Sequence, residues 1–199
     1  MLLHNAHVPL AVRGHHFGTV DDVALKTIWI VLAGALALTA CSPTAPQPTD
    51  THPTVPGDGS IPKNESISLN DDNHAAIANL DPALLTAMRQ AAADAKLAGV
   101  EFRVTSGWRS KAHQQRLLDE AIDLYRSEEE ARRWVHPPEK SAHVKGKAID
   151  IGPTNADDWL IQHGSDYGLC QAYANEMWHF ELLTTPGGQC PQPQSNAVE

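Results

Sequence analysis

The chain has 199 residues, 42% of them hydrophobic and 20% charged, with a formal net charge of −9. That length holds one or two domains, and the acidic balance argues against nucleic acid as a partner, which would call for a basic patch or stripe. A soluble enzyme fits both observations.

In chain order, Lys26 precedes IWIVLAGALALTA (28–40), apolar except for Thr39. The run is short for a bilayer span but has the length of a signal-peptide core. It leads into Leu38-Thr39-Ala40-Cys41, which resembles the bacterial lipobox, whose cysteine becomes the lipidated first residue. Residues 1–41 are therefore expected to be a signal peptide, with Cys41 as the lipidation site. The protein would be exported and held on the outer face of the bacterial cell membrane by lipid rather than by a lasting helix. Residues 1–22 carry several histidines and two acidic residues, fit a signal peptide poorly, and point to a true start near Val23.

Residues 42–65 are rich in proline, threonine and serine and read as an extended tether. The folded unit is expected over residues 66–190, with 191–199 as a flexible tail. Asp81 and Pro82 predict a helix start; Leu84, Leu85, Met88, Ala91, Ala92 and Ala95 form its apolar stripe, and Gly99 ends it. VEFRVTSG (100–107) alternates and predicts a strand. Ser110 caps a second helix with Leu117, Leu118, Ala121 and Leu124 inward, and Ser127 with Glu130 forms a capping box for a short third one. KAIDI (147–151) predicts a strand, Asn155 a helix cap, and MWHFELL (177–183) a last strand. Trp178, Phe180 and Leu182 would share one face of that strand, and Met177, His179 and Glu181 the other. The order implies an α+β domain, a single small unit with helices packed on a short antiparallel sheet.

Cys170 and Cys190 remain once Cys41 is assigned. In an exported protein a disulfide is the economical reading, two reduced buried thiols the alternative. A disulfide bracketing the residues between them would stiffen the last strand.

The chemistry lies in His143, Asp150 and Glu176-x-Trp178-His179. Two imidazoles and a carboxylate suit zinc, which in catalytic sites keeps a fourth position for water. Glu176, three residues before His179, would then be the proton carrier if a bend brings it into the same cavity. With eleven histidines in the chain, a His/Asp/His trio alone is a weak signal, and a satisfied core histidine and a strand aspartate remain open at this point.

Three motifs in order sharpen it. SGWRS (106–110), the pattern Ser141-x-His143-x-x-Gly146-x-Ala148-x-Asp150, and Glu176-x-Trp178-His179 together resemble the VanY-type zinc D-alanyl-D-alanine carboxypeptidases, members of the peptidoglycan LAS-type metallopeptidases, over residues 78–183. The resemblance implies a hedgehog/D,D-peptidase-like fold and one Zn2+ per chain on His143, Asp150 and His179. It also implies Glu176 as catalytic base, Arg109 on the scissile carbonyl or the substrate, and Ser141, Gln114 and Trp178 around the substrate. Gln114 would lie at the pocket edge or on the exposed helix face. The implied function is removal of the terminal D-alanine from peptidoglycan stem peptides by a monomer. The alternatives are an L,D-carboxypeptidase, a murein endopeptidase, or a noncatalytic zinc or peptide-binding module of the kind found in related hedgehog domains. Where the family often has PPG before Ser-x-His, this chain has Pro137, Pro138, Glu139 and Lys140.

Overall fold

The computed structural model describes residues 57–198. The expected signal peptide, Cys41 and most of the tether lie outside them. Four strands form one antiparallel sheet: β1 (Arg103–Ser106), β2 (Ala148–Gly152), β3 (Leu169–Gln171) and β4 (His179–Leu182), in the order β1-β2-β4-β3. The helices are α1 (Ala75–Ala78), α2 (Pro82–Leu97), α3 (Lys111–Tyr125), α4 (Glu128–Arg132) and α5 (Thr154–His163), and a 3₁₀ turn, Gly164–Tyr167, follows α5. The architecture is the expected small α+β domain.

Helix α2 starts where its sequence dictates. Asp81 Oδ1 accepts from the Ala83 amide at 2.8 Å, Pro82 occupies the first turn, and Gly99 takes φ +77° just past the end. Its stripe of Leu84, Met88, Ala91 and Ala95 is buried against Val104, Ile149, Ile151 and Phe180 of the sheet, together with Leu160 of α5. Strand β2 is buried at all five positions. Because side chains alternate across a strand, Ile149 and Ile151 face this core while Asp150 faces the opposite side. Phe180 and His179 divide between the same two faces in β4.

Ser110 Oγ accepts from the His113 amide and Ser127 Oγ from the Glu130 amide, which starts α3 and α4 as expected. Three expectations on local structure are corrected. Asn155 lies inside α5 rather than capping it, because the Pro153 carbonyl already accepts from the Ala156 amide at 2.7 Å. Leu124 is exposed rather than inward, since the five-residue α4 covers only the middle of α3, at Leu118 and Ala121. The final strand begins at His179, not Met177: the His179 amide donates to the Glu176 carbonyl at 3.2 Å, and this turn puts Trp178 off the face of Phe180.

The domain also reaches further at both ends. Asp58, expected in the tether, is buried, forms an ion pair with Arg116, and accepts through its carbonyl from the Ser110 amide. Residues 191–198, expected as a flexible tail, fold back onto the chain, with Gln194 bridged to Tyr173 and Ala197 buried beside Ala172 and Tyr173. The Ala172 carbonyl and the Ala174 amide on that face pair with the Gln194 backbone. Cys170 and Cys190 form a disulfide with Cα atoms 5.7 Å apart, which fastens the start of the segment to β3.

Candidate metal centre

Strand register does most of the assembly. Asp150 of β2 stands opposite His179 of β4, and on the other side opposite Ser106 of β1, next to a bulge. His143 arrives from the loop before β2. That loop is fixed at Gly146, whose carbonyl accepts from the Asp81 amide at 2.8 Å, and at His143, whose carbonyl accepts from the Arg109 amide. Gly146 has φ +70°, and a Cβ there would lie 2.5 Å from the Asn79 carbonyl oxygen, so only glycine fits.

His143 Nε2, His179 Nδ1 and Asp150 Oδ1 converge. The two nitrogens are 3.2 Å apart, and the carboxylate oxygen lies 3.3 Å from His143 and 3.2 Å from His179. Bonds of 2.0–2.1 Å to a tetrahedral zinc imply edges of about 3.3 Å between donors. The trio has those edges. Asp150 Oδ1 is moreover buried without a hydrogen-bond donor, a costly arrangement that a cation relieves. Among the described residues, these three form the group suited to hold a metal ion.

The far side of each donor is also occupied. His143 Nδ1 lies 2.8 Å from the Gly107 carbonyl oxygen, His179 Nε2 lies 3.0 Å from Glu181 Oε1, and Arg109 Nη2 donates to Asp150 Oδ2 at 3.0 Å. Such outer contacts set which ring nitrogen faces a metal. Arg109 is itself braced, donating from Nε to Ser106 Oγ and from Nη1 to Gln114 Oε1.

The electrostatics divide the two histidines. Burial, with help from the Arg109 charge, lowers the His143 pKa to about 4. Burial also opposes charge on His179, but the neighbouring carboxylates of Asp150 and Glu181 outweigh it and hold its pKa up at about 9. Desolvation would raise Asp150; the two histidines and Arg109 prevail and keep it ionised. Glu176, by contrast, is pushed up to about 7, chiefly by burial. Its Oε2 lies 3.8 Å from His179 Nδ1. A carboxyl poised near neutrality can both take and return a proton.

These groups open on a cleft of about 240 Å³. Ser141 lines it, but its Oγ also accepts from the Val144 amide at 3.4 Å, a local turn cap. Trp178 lines it and is 39% exposed, placing its indole at the rim. Gln114 is neither at an edge nor on an exposed helix face. It is buried, with Oε1 taken by Arg109 and Nε2 donating to the His136 carbonyl at 2.8 Å. Its amide therefore holds Arg109 in place. Two lining or supporting residues went unassigned in the sequence. Glu181 shares a strand face with His179, a signal that alternation exposes. Tyr173 packs at a tilt against His179, with ring centroids 5.0 Å apart, and edge-on against His136 at 5.8 Å; no motif points to it.

The VanY family profile, described as D-alanyl-D-alanine carboxypeptidase, matches residues 77–185, more than half of the chain. A D-alanyl-D-alanine carboxypeptidase of Enterococcus faecalis (strain ATCC 700802 / V583) is 30% identical over a 117-residue alignment, with 45% of this chain and 42% of that protein covered. The chain thus spans less than half the length of this curated relative. Among solved structures, a vancomycin resistance D,D-pentapeptidase VanY from a VanB-type cassette, in complex with Zn(II), is 24% identical with a TM-score of 0.49, covering 52% of this chain and 72% of that one. The LdcB LD-carboxypeptidase is 23% identical with a TM-score of 0.48, covering 53% and 59%.

Proposed function

The chain belongs to the VanY family of D-alanyl-D-alanine carboxypeptidases, and from that premise we propose that it is a zinc-dependent carboxypeptidase removing the terminal D-alanine of peptidoglycan stem peptides. The observation that carries this reading is the triangle of His143 Nε2, His179 Nδ1 and Asp150 Oδ1, with edges of 3.2–3.3 Å and the Glu176 carboxylate beside it. His143, Asp150 and His179 would hold the zinc, which when bound supplies Lewis acidity at the scissile carbonyl.

The remaining work falls to side chains. Glu176 takes a proton from the attacking water at its carboxylate and returns it to the leaving amine. Its burial favours this, since a carboxyl with a pKa near 7 gives and receives protons with little bias. Arg109 stays cationic: burial opposes its charge, while Asp150 and Glu176 sustain it. All three nitrogens of its guanidinium donate, to Ser106, Gln114 and Asp150, so it presents a fixed positive charge to the cleft. That charge suits the carbonyl oxygen as negative charge develops, or the substrate's terminal carboxylate. Ser141 and Trp178 would complete the substrate contacts.

Export and lipidation at Cys41 belong to the same proposal, because they place the enzyme beside its polymer. The decisive experiment incubates purified protein with defined tetra- and pentapeptide stems and reads products by mass spectrometry, with and without a chelator. Release of D-alanine from the pentapeptide, lost on chelation and restored by zinc, is expected. Stoichiometric zinc with no cleavage of any stem would instead indicate a binding module.

A further inference from the structure

The segment after the disulfide has a place in the cleft. Cys190 is bonded to Cys170 of β3, and from there the chain runs beside residues 172–174. The Gln194 amide donates to the Ala172 carbonyl at 2.9 Å, and the Ala174 amide donates to the Gln194 carbonyl at 2.7 Å. Three residues on, the Ala197 amide donates to the Arg133 carbonyl at 3.3 Å, and the backbone of Ala197 also hydrogen-bonds the His136 ring. Ala197 is 5% exposed and lines the cleft. The strap is therefore bonded to both banks: to residues 172–174 on one side and to residues 133–136 on the other.

Which end of the cleft it closes follows from what it touches. His136, bonded to Ala197 through its ring, accepts from Gln114 through its carbonyl, and Gln114 in turn braces Arg109. Arg109 and Ser141 line the cleft on that side, and of the two roles open to the Arg109 charge the strap bears on the one that holds the substrate's terminal carboxylate. The strap thus stands beyond the place of the terminal residue. A peptide whose chain stops there fits, whereas one that continues past the scissile residue meets Ala197, Tyr173 and His136.

We propose that the segment Pro191–Val198 is a specificity-determining wall that restricts the enzyme to peptides with a free terminal carboxylate and excludes cross-linked chains. This rests on the peptidase reading given above. The wall acts through substrate shape. Its backbone hydrogen bonds go to Ala172, Ala174, Arg133 and His136 rather than to the metal donors or Glu176, so its loss should act first on which substrate is accepted, and the ratio of two substrates cancels any change common to both.

The test compares the full chain with one ended after Pro191, on two substrates: a pentapeptide stem with a free terminal carboxylate, and the same stem extended through an amide at that carboxylate. The full chain should favour the free stem. In the shortened chain the ratio of the two kcat/KM values should fall about tenfold or more, the scale on which pocket shape discriminates, at unchanged zinc content. Gln194→Pro, which removes the amide bonded to Ala172 while keeping the chain intact, should shift the ratio in the same direction and guards against a truncated chain that does not fold. A ratio within twofold of the full chain in a folded, zinc-loaded variant would overturn the wall while leaving the peptidase reading standing. A full chain that cleaves neither substrate would overturn both.

Discussion

Glu181 Oε1 lies 3.0 Å from Nε2 of His179, on the side of the ring that faces away from Asp150. The contact leaves Nδ1 for the metal and increases the electron density that the imidazole offers. Glu181→Ala should keep the fold but weaken zinc affinity by about 10–100-fold, the usual cost of removing such a partner. Titration against a competing chelator measures this directly, and an unchanged affinity would show that the ring is oriented by packing on Tyr173 alone.

Glu176→Ala separates proton transfer from metal binding. Glu176 is not in the donor triangle, so the variant should retain stoichiometric zinc. Turnover should fall by about 10²–10⁴-fold, the contribution expected of a positioned acid–base group. Metal analysis and steady-state rates on the same preparation give both halves of the answer.

The donor triangle gathers two histidines and an aspartate in the interior, so the metal should also stabilise the fold. At a free zinc concentration 100 times Kd, the gain is about 2.7 kcal/mol. Thermal melting with added zinc should show the corresponding rise in Tm. His143→Ala should abolish the rise.

Gly146→Ala tests the aim of His143. The added Cβ would lie 2.5 Å from the Asn79 carbonyl oxygen, at a φ of +70°, so the loop has to move at a cost of about 1–3 kcal/mol. Both melting temperature and zinc affinity should drop, because the same loop carries the ligand. A variant less stable but with full zinc affinity would show that His143 is held by Gly107 independently of the turn.

Asp157 gives a pH signature from a group outside the donor triangle. Burial, reinforced by Asp158 and Asp150, raises its pKa to about 7, and its Oδ1 has no hydrogen-bond partner. A folded pKa above the unfolded value means that the folded state binds the extra proton. Stability is therefore greatest below about pH 4 as far as this group is concerned, and is lost as pH rises through 7. Asp157→Asn should be more stable than the parent at pH 8 by about 1–3 kcal/mol, with the difference vanishing near pH 4. Denaturant unfolding at the two pH values measures it.

Local chemistry made much of this molecule readable in its sequence. Asp81, Ser110 and Ser127 each act through a side chain on amides two or three residues away, so spacing alone locates them. The candidate ligands were legible because they sit in short motifs. The strap was not, since the pairing of Gln194 with residues 172–174 is a contact between distant segments with no periodicity of its own. Leu124 misled for a related reason: a helix stripe is buried only as far as its partner extends, and α4 is short. Gln114 shows a third kind of gap. Its motif position was plain, but its partners, Arg109 and His136, come from either side of α3, and only the folded chain brings them to one amide.

The pairing of Asp150 with His179 across β2 and β4 would make a bound metal an inspector of folding. A slip of one residue between these strands would turn one of the two donors to the opposite face, so a misregistered chain could not close the triangle. If the trio holds zinc as proposed, zinc retention through a purification would count correctly folded molecules, and an apo fraction that refuses metal would report the misfolded remainder without any substrate at hand.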